Sequence, residues 1–180
     1  MRVVSGKYKR ANLNGFDING TRPTMDRIKE SMFALIQGSI KDSVCLDLFA
    51  GSGALGIEAI SNGARACYFV DNNNIAIKTL QDNLTKLRVN EEYHIVSKDY
   101  KQALQHFKDN NIKFDLILLD PPYNNTFIKQ SIDLITNYDL LNDGGYIVCE
   151  YEQENFENEF LECIKEKKYG SKNIKILKKV

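Results

Sequence analysis

Residues 44–56, Val-Cys-Leu-Asp-Leu-Phe-Ala-Gly-Ser-Gly-Ala-Leu-Gly, join an apolar run to a glycine-rich loop and the start of a helical pattern. Only Asp47 interrupts the apolar run, which predicts a core strand. The three glycines have the Gly-x-Gly-x-x-Gly spacing. They allow a sharp turn and let a ligand approach backbone N–H groups at a helix N-terminus. The stretch therefore predicts an α/β fold with a ligand site at the carboxyl end of this strand.

Short apolar runs alternate with helical patterns along the rest of the chain. This alternation is typical of a doubly wound, mostly parallel α/β sheet with helices on both faces. The glutamate-rich stretch 150–163 is predicted as a helix, with Phe156, Phe160 and Ile164 facing inward. Alternating residues around Gly170 predict a closing pair of strands. The other predicted strands are residues 66–70, 93–96, 114–119 and 145–149.

The first 20 residues are polar, basic and interrupted by glycines, which predicts a hairpin appendage. Thr24 is a candidate N-cap, and apolar residues recur with helical spacing from Ile28 to Ile36. We therefore expect an extension at 1–40 that packs on a core at 41–180. The chain is then effectively one domain.

The composition is that of an ordinary globular protein, since 43% of the 180 residues are hydrophobic and 27% are charged. No apolar run approaches the roughly 20 residues of a membrane span, and the first residues lack an apolar signal region. The four cysteines are far apart, which argues against a disulfide framework and against a zinc site. We expect a cytoplasmic monomer that holds no metal.

Charge is distributed unevenly, although the formal net charge is +0. Residues 1–15 carry basic side chains and no acid, residues 150–163 are rich in glutamate, and residues 164–180 are rich in lysine. A basic segment can be an ordinary solvated surface, or it can bind the phosphates of a nucleic acid. Under the second interpretation, the RNA-binding residues are Arg2, Lys7, Lys9, Arg10 and Arg22.

Two acids suggest which ligand the glycine loop binds. Asp71 ends the second predicted strand 20 residues after Gly51, the spacing of an acid that accepts hydrogen bonds from ribose hydroxyls. Asp47 would repel a pyrophosphate, but it suits a ligand with an ammonium or sulfonium group. These features favour S-adenosylmethionine over a dinucleotide. A buried Asp47 satisfied only by backbone donors is the alternative interpretation.

Asp99 follows the third predicted strand. Its carboxylate could accept a hydrogen bond from an adenine amino group, or it could cap the helix predicted at 101–108. The two histidines, His94 and His106, have no evident partner in the sequence. We therefore predict no histidine acid–base chemistry.

Asp120-Pro-Pro-Tyr123 follows the apolar run 114–119. Neither proline can donate to a strand ladder, and each holds the preceding residue extended, so a stiff loop is expected at a strand's carboxyl end. Ligands bind at such ends in open α/β sheets. A rigid turn into the next helix is the simpler interpretation.

Three separate motifs resemble one enzyme family. Together they resemble the bacterial methyltransferases that act on guanine N2 of 16S ribosomal RNA, within the Rossmann-like S-adenosylmethionine-dependent methyltransferases. The likeness covers nearly the whole chain, although the acidic stretch and the lysine-rich tail match less distinctively. It implies a seven-stranded sheet with an antiparallel pair at its end. The motifs are Val4-Ser-Gly-Lys7 with Thr21-Arg-Pro-Thr-Met-Asp-Arg27 and Glu30-Ser-Met-Phe33, then Asp47-Leu-Phe-Ala-Gly-Ser-Gly-Ala-Leu-Gly-Ile-Glu58-Ala, and Asp120-Pro-Pro-Tyr123.

The resemblance implies methyl transfer from S-adenosylmethionine to a guanine amino group in 16S ribosomal RNA or a small-subunit assembly particle. It assigns Asp47 to the methionine end of the cofactor, Asp71 to the ribose and Asp99 to the adenine amino group. The implied catalytic residues are Asp120, Pro121, Pro122 and Tyr123. The implied cofactor-binding residues are Thr24, Asp47, Phe49, Ala50, Gly51, Gly53, Asp71, Asn72, Asp99 and Tyr100.

Three alternatives remain open at this stage. An adenine N6 methyltransferase of RNA or DNA would use the same motifs. A nicotinamide-dependent oxidoreductase would bind NADH and would have no use for the Asp-Pro-Pro-Tyr loop. A non-catalytic RNA-binding module would bind no S-adenosylmethionine, and it would not need the acids Asp47, Asp71 and Asp120.

Overall fold

The computed structural model describes residues 1–15, 26–122 and 126–180. One seven-stranded sheet has the order β3-β2-β1-β4-β5-β7-β6. Strands β1 to β5 run parallel, and β7 lies antiparallel between β5 and β6. The strands are β1 Val44–Asp47, β2 Ala66–Asp71, β3 Glu92–Ser97, β4 Phe114–Leu119, β5 Leu141–Tyr151, β6 Leu161–Tyr169 and β7 Lys172–Lys179. The helices are α1 Asp26–Leu35, α2 Ala54–Ser61, α3 Asn74–Lys86, α4 Tyr100–Asp109 and α5 Phe127–Asn137, with a 3₁₀ turn at Gln37–Ser39.

Helices cover both faces of the sheet, as the alternating pattern predicts. Successive residues of a strand point to opposite faces, so Cys45 packs in one apolar cluster and Leu46 packs in the other. The first cluster contains the buried residues of α1, α2 and α3, and the second contains those of α4 and α5. The predicted doubly wound sheet with a closing antiparallel pair is confirmed.

The order of the strands reverses between β1 and β4. The chain first builds outward from β1 to β2 and β3, and it then returns to place β4 on the other side of β1. The loops after β1 and β4 diverge at this point, which leaves a crevice where open α/β sheets bind ligands. The glycine loop and the Asp-Pro-Pro segment are these two loops.

The helix predicted at 150–163 is wrong. Glu150 and Tyr151 end β5, and β6 begins at Leu161 after an irregular segment. Phe156 is buried as expected, but Phe160 and Ile164 are 55% and 47% exposed. The reason is non-local, because β6 pairs with β7 along its whole length and becomes the edge strand of the sheet. Its charged side chains are a common protection of such an edge.

The first 15 residues fold back on themselves and pack against the core. Arg2 and Asn12 form an antiparallel bridge, and the side chains of Val3 and Leu13 are buried. The segment lies against α2, the helix that begins at the glycine loop.

Glu58 of α2 anchors this segment. Its carboxylate accepts hydrogen bonds from the backbone N–H groups of Val4 at 3.0 Å and Ser5 at 2.9 Å. Lys29 of α1 places its ammonium 3.3 Å from the same carboxylate, and both side chains are fully buried. One buried ion pair therefore connects the amino-terminal segment, α1 and α2.

Replacing Lys29 with methionine is expected to lower the free energy of unfolding by about 3–5 kcal/mol, because it leaves the buried Glu58 carboxylate without its counter-charge. Urea denaturation followed by circular dichroism measures the change. The double variant Lys29→Met, Glu58→Gln removes both charges and should recover part of the loss. A single-variant loss below about 1 kcal/mol, the value of a surface pair, would contradict the prediction.

Candidate active site

Three carboxylates lie at one edge of the sheet. Asp47 ends β1, Asp71 ends β2, and Asp120 follows the last residue of β4. Because β1 pairs in parallel with both β2 and β4, the carboxyl ends of these strands meet at the same edge. The sequence predicts this arrangement from apolar runs that stop at an aspartate.

Asp47 is completely buried below the glycine loop. Its Oδ2 accepts a hydrogen bond from the Gly56 N–H at 2.9 Å, whereas Oδ1 has no hydrogen-bond partner among the described residues. Burial raises the pKa of Asp47 to about 7; the Gly56 N–H opposes the shift, and the charge of Asp71 adds to it. Backbone donors therefore satisfy only half of this carboxylate. An unpaired buried oxygen fits a ligand that brings its own donor or positive charge.

Asp71 connects β2 to two neighbouring loops. Its Oδ2 accepts from the Gly51 N–H at 2.9 Å, and its Oδ1 accepts from the Asn73 N–H at 2.8 Å. Asn73 in turn caps α3 with its side chain, and the neighbouring Asn72 is exposed. Each carboxylate oxygen retains a second lone pair, so Asp71 can also accept hydrogen bonds from a ligand's hydroxyl groups.

The glycines of the loop are required for different structural reasons. Gly51 and Gly53 have φ values of +55° and +89°, in the left-handed region that favours glycine. A Cβ at Gly56 would lie 2.3 Å from the Phe69 ring, so this glycine lets α2 pack closely on β2. The buried Ala50 N–H donates to the carbonyl oxygen of Val70 at 2.9 Å. The loop is thus held from both sides without blocking its upper surface.

Asn83 of α3 is a supporting residue that sequence reasoning missed. Its buried side-chain amide donates to the carbonyl oxygen of Ser52 at 2.9 Å, and its Oδ1 accepts from the Asn14 N–H at 2.7 Å. Asn83 therefore connects the glycine loop to the amino-terminal segment. A single asparagine in an amphipathic helix gives no signal of this role.

An aromatic cluster joins the segment after β1 to the first turns of α4 and α5. The rings of Phe49, Tyr100 and Phe127 lie with their centroids 5.3 to 5.8 Å apart. Asp99, just before Tyr100, caps α4 by accepting from the Lys101 N–H at 2.9 Å through Oδ1. The structure thus shows the capping role for Asp99, and the adenine contact stays a prediction. Aromatic side chains of this kind can pack against the flat ring of a nucleoside.

The Asp-Pro-Pro segment lines a groove of about 220 Å³. Asp120 and Pro121 are half-buried and Pro122 is exposed. Thr24, Arg22 and Tyr123, which the sequence analysis assigned to the cofactor, the RNA and the base, lie outside the described residues. The opposite wall of the groove consists of residues 150–154 and Lys172. No motif in the sequence connects this wall with the site.

The five predicted RNA-binding residues do not form a uniform group. Arg2 pairs with Asp26 at 2.8 Å, and Lys7 pairs with Glu91 at 2.7 Å, a hydrogen bond that raises the pKa of Lys7. Lys9 and Arg10 are exposed and form no ion pair with another described residue. Among the four described members of this set, Lys9 and Arg10 are therefore the least neutralised by acids of the protein.

In the described part of the chain, no helix is long and apolar enough to cross a membrane. No group of three or more His, Cys, Asp or Glu side chains is placed to hold a metal ion within residues 1–15, 26–122 and 126–180. His94 of β3 stacks on Tyr68 of β2 at a centroid distance of 4.4 Å.

Known proteins match nearly the whole length of this chain. The family described as "Conserved hypothetical protein 95" matches residues 1–178. YlbH of Bacillus subtilis is 40% identical over 154 residues, which are 86% of this chain and 84% of that protein. Ribosomal RNA small subunit methyltransferase D of Buchnera aphidicola subsp. Baizongia pistaciae is 36% identical over 162 residues, 89% of this chain and 80% of that protein.

A solved structure agrees with these sequence relatives. The structure of yhhF from Escherichia coli superposes with a TM-score of 0.88 at 27% identity, covering 99% of this chain and 97% of that one. Family, sequence and fold comparisons point in the same direction as the motifs. The chain belongs to the Conserved hypothetical protein 95 family, the family of ribosomal RNA small subunit methyltransferase D.

Proposed function

We propose that this protein transfers a methyl group from S-adenosylmethionine to the N2 amino group of a guanine in 16S ribosomal RNA. One observation carries the proposal: Asp47, Asp71 and Asp120 lie at the carboxyl ends of neighbouring parallel strands, around a glycine loop at the reversal of strand order. The family supplies the kind of substrate, since a relative of 36% identity is named a methyltransferase of small-subunit ribosomal RNA.

The residues at the crevice fit S-adenosylmethionine. The unpaired Oδ1 of Asp47 suits an ammonium group, and the neighbouring Asp71 suits ribose hydroxyls. Phe49 and Tyr100 offer an apolar wall for the adenine. When bound, this cofactor supplies a methyl group that its sulfonium already activates. The protein therefore has to position the acceptor and stabilise the charge that develops on it.

The acceptor nitrogen needs help because its lone pair is delocalised into the guanine ring. Asp120 can accept a hydrogen bond from one amino hydrogen, and the carbonyl oxygen of Pro121 can accept from the other. These bonds turn the lone pair towards the methyl group. Methylation makes the acceptor nitrogen acidic, and we propose that the Asp120 carboxylate accepts its proton. Tyr123 is proposed to stack on the base.

The target base has to leave its helix or lie in a loop before it can enter the crevice. Contacts to the phosphates around it would position the RNA without reading its sequence. We propose Lys9, Arg10 and Arg22 for this role, with Arg2 and Lys7 contributing less because acids of the protein already pair with them.

Charge reversal at Lys9 and Arg10 (Lys9→Glu with Arg10→Glu) is expected to weaken RNA binding about tenfold at low salt. It should also reduce the slope of log affinity against log salt by about one to two, because fewer counter-ions are released. Filter binding at several salt concentrations measures both quantities. The matched control is Lys167→Glu with Lys168→Glu, on the far edge strand β6. Equal effects of the two double variants would contradict a local phosphate site.

Nucleoside mapping tests the proposed function directly. Labelled S-adenosylmethionine is incubated with the protein and with 16S RNA or small subunits from cells that lack it. We expect the label in N2-methylguanosine at one position. Label in N6-methyladenosine would favour the adenine alternative, and binding of NADH without any methyl transfer would favour the oxidoreductase. Comparing free RNA with assembled particles shows which is the substrate.

We also propose that the protein acts as a monomer in the cytoplasm, where small-subunit RNA is assembled. Sedimentation equilibrium at working concentrations tests the first statement. A dimer that persists upon dilution would contradict it.

A further inference from the structure

The buried pair Glu150 and Lys172 forms part of the groove that contains Asp120. Glu150 is only 2% exposed, and its Oε1 accepts a hydrogen bond from the Lys172 ammonium at 2.7 Å. Its Oε2 is buried without a hydrogen-bond partner among the described residues. A buried carboxylate oxygen without a donor is unfavourable for the fold. Such an atom at the wall of a groove points to a ligand that donates a hydrogen bond.

The register of the sheet brings this carboxylate beside Asp120. Strands β4 and β5 pair in parallel, with Leu119 opposite Cys149. Asp120 directly follows β4 and Glu150 is the next residue of β5, so the two residues lie at the same level along their neighbouring strands. Neighbouring strands are about 4.8 Å apart. Two acceptors at this spacing can contact adjacent groups on the edge of one planar base.

The groove is acidic, which indicates that it excludes anionic ligands. Its described lining carries the acids Asp120, Glu150, Glu152 and Glu154 against the single cation Lys172. A phosphate would be repelled, whereas a neutral edge rich in N–H donors would be attracted. The volume of about 220 Å³ is below the range of about 300–1,000 Å³ found for drug-sized ligands. The groove therefore suits one base rather than a whole nucleotide.

We propose that Glu150 selects guanine by accepting a hydrogen bond from its N1–H, while Asp120 binds the adjacent N2 amino group. This inference rests on the proposed function and names the residue that would make it specific for guanine. The Watson–Crick edge of guanine presents N1–H next to the amino group. Adenine presents an unprotonated N1, whose lone pair would face the Glu150 carboxylate. Lys172 holds the carboxylate in place through Oε1 and leaves Oε2 for the base.

The test compares guanine with 2-aminopurine at the position that nucleoside mapping identifies. 2-Aminopurine keeps the 2-amino group, but its N1 is an acceptor. The two bases are introduced into 16S RNA by ligation and reconstituted into small subunits. We expect the wild-type protein to methylate guanine about 100-fold faster than 2-aminopurine in kcat/KM, because a site built around a donor rejects an analogue that lacks it. Equal rates would overturn the inference.

The variant Glu150→Gln should invert this preference. Its amide oxygen can still accept from Lys172, and its NH₂ group then faces the base, where it repels guanine N1–H and donates to N1 of 2-aminopurine. A purely structural role of Glu150 would lower both rates equally and would leave their ratio unchanged. Glu157→Gln, an exposed change outside the groove, is the matched control and should keep the wild-type ratio.

The inference and the proposed function fail in different ways. If the wild-type protein methylates no guanine, the proposed function is wrong. If it methylates guanine and 2-aminopurine equally well, only the assignment of Glu150 is wrong. The comparison of guanine with 2-aminopurine as substrates of the wild-type protein tests the role of Glu150 even if Glu150→Gln does not fold.

Discussion

Replacing Asp120 with alanine is expected to lower the rate of methyl transfer by roughly 10²- to 10⁴-fold while leaving the affinity for S-adenosylmethionine almost unchanged. Asp120 lies beyond β4, on the side of the crevice opposite the glycine loop. Its removal takes away the proposed acceptor for the amino hydrogens and for the nitrogen's proton. Single-turnover kinetics with labelled cofactor measure the rate, and isothermal titration calorimetry measures the affinity.

Two further variants sharpen this prediction. Asp120→Asn keeps an oxygen acceptor but cannot take a proton, so it should retain more activity than the alanine variant and less than the wild type. Asp109→Ala, an exposed change at the end of α4, should leave kcat unchanged. Full activity of Asp120→Ala would remove this residue from the mechanism.

Replacing Asp47 with asparagine is expected to change cofactor binding and stability in opposite directions. The variant loses the negative charge that would face the cofactor's ammonium. Charge-assisted hydrogen bonds contribute about 1.5–3 kcal/mol, so the dissociation constant should rise roughly 10- to 100-fold. Isothermal titration calorimetry at neutral pH measures this change.

The stability of the unliganded protein should increase in the same variant. Burial raises the pKa of Asp47 from 3.8 to about 7. Because the folded-state pKa is higher than the unfolded one, the wild-type fold loses stability as the pH rises through this window, and the full penalty applies above it. Asparagine never ionises and avoids that penalty, which is on the order of 4 kcal/mol for a shift of about three units.

Urea denaturation at several pH values across this window checks the direction in which the stability difference between the two proteins changes with pH. The advantage of Asp47→Asn over the wild type should grow from low pH to about neutral pH and then level off. An advantage that is constant with pH would show that the charge of Asp47 is not responsible. The exposed change Asp109→Asn should give no pH-dependent difference of this kind.

Hydrogen bonds connect the glycine loop and α2 to the amino-terminal segment. Glu58 holds that segment through its backbone N–H groups, and Asn83 bonds both the loop and Asn14. The segment that carries the basic residues Lys9 and Arg10 is therefore fixed to the helix that starts at the glycine loop. This connection would hold the proposed RNA contacts and the proposed cofactor site in a defined relative position.

Local patterns in the sequence were sufficient to locate the parallel strands of the sheet and three acids of the candidate site. The predicted strand 114–119 coincides with β4. A short, continuous apolar run that is ended by two prolines is typically buried as a strand. Asp47 and Asp71 were placed correctly for the same reason, since each ends a short apolar run. The glycine spacing fixed the loop because backbone conformation with positive φ depends on the residue itself.

Features that depend on contacts between distant parts of the chain could be identified only from the tertiary structure. The stretch 150–163 has helical spacing of apolar residues, yet pairing of β6 with β7 makes part of it an edge strand. Glu150 and Lys172 are 22 residues apart and meet only because β7 inserts beside β5. Likewise, no local signal joins Lys29 to Glu58.

The sequence by itself determined the strand–loop–helix order, the aspartates at the strand ends and the family to which the chain belongs. The tertiary structure alone decided which carboxylates are buried, which of their oxygens lack a donor, and which cations are already paired. The physical reason is that backbone conformation follows from neighbours along the chain, whereas desolvation and charge pairing depend on side chains that the sheet brings together from distant positions.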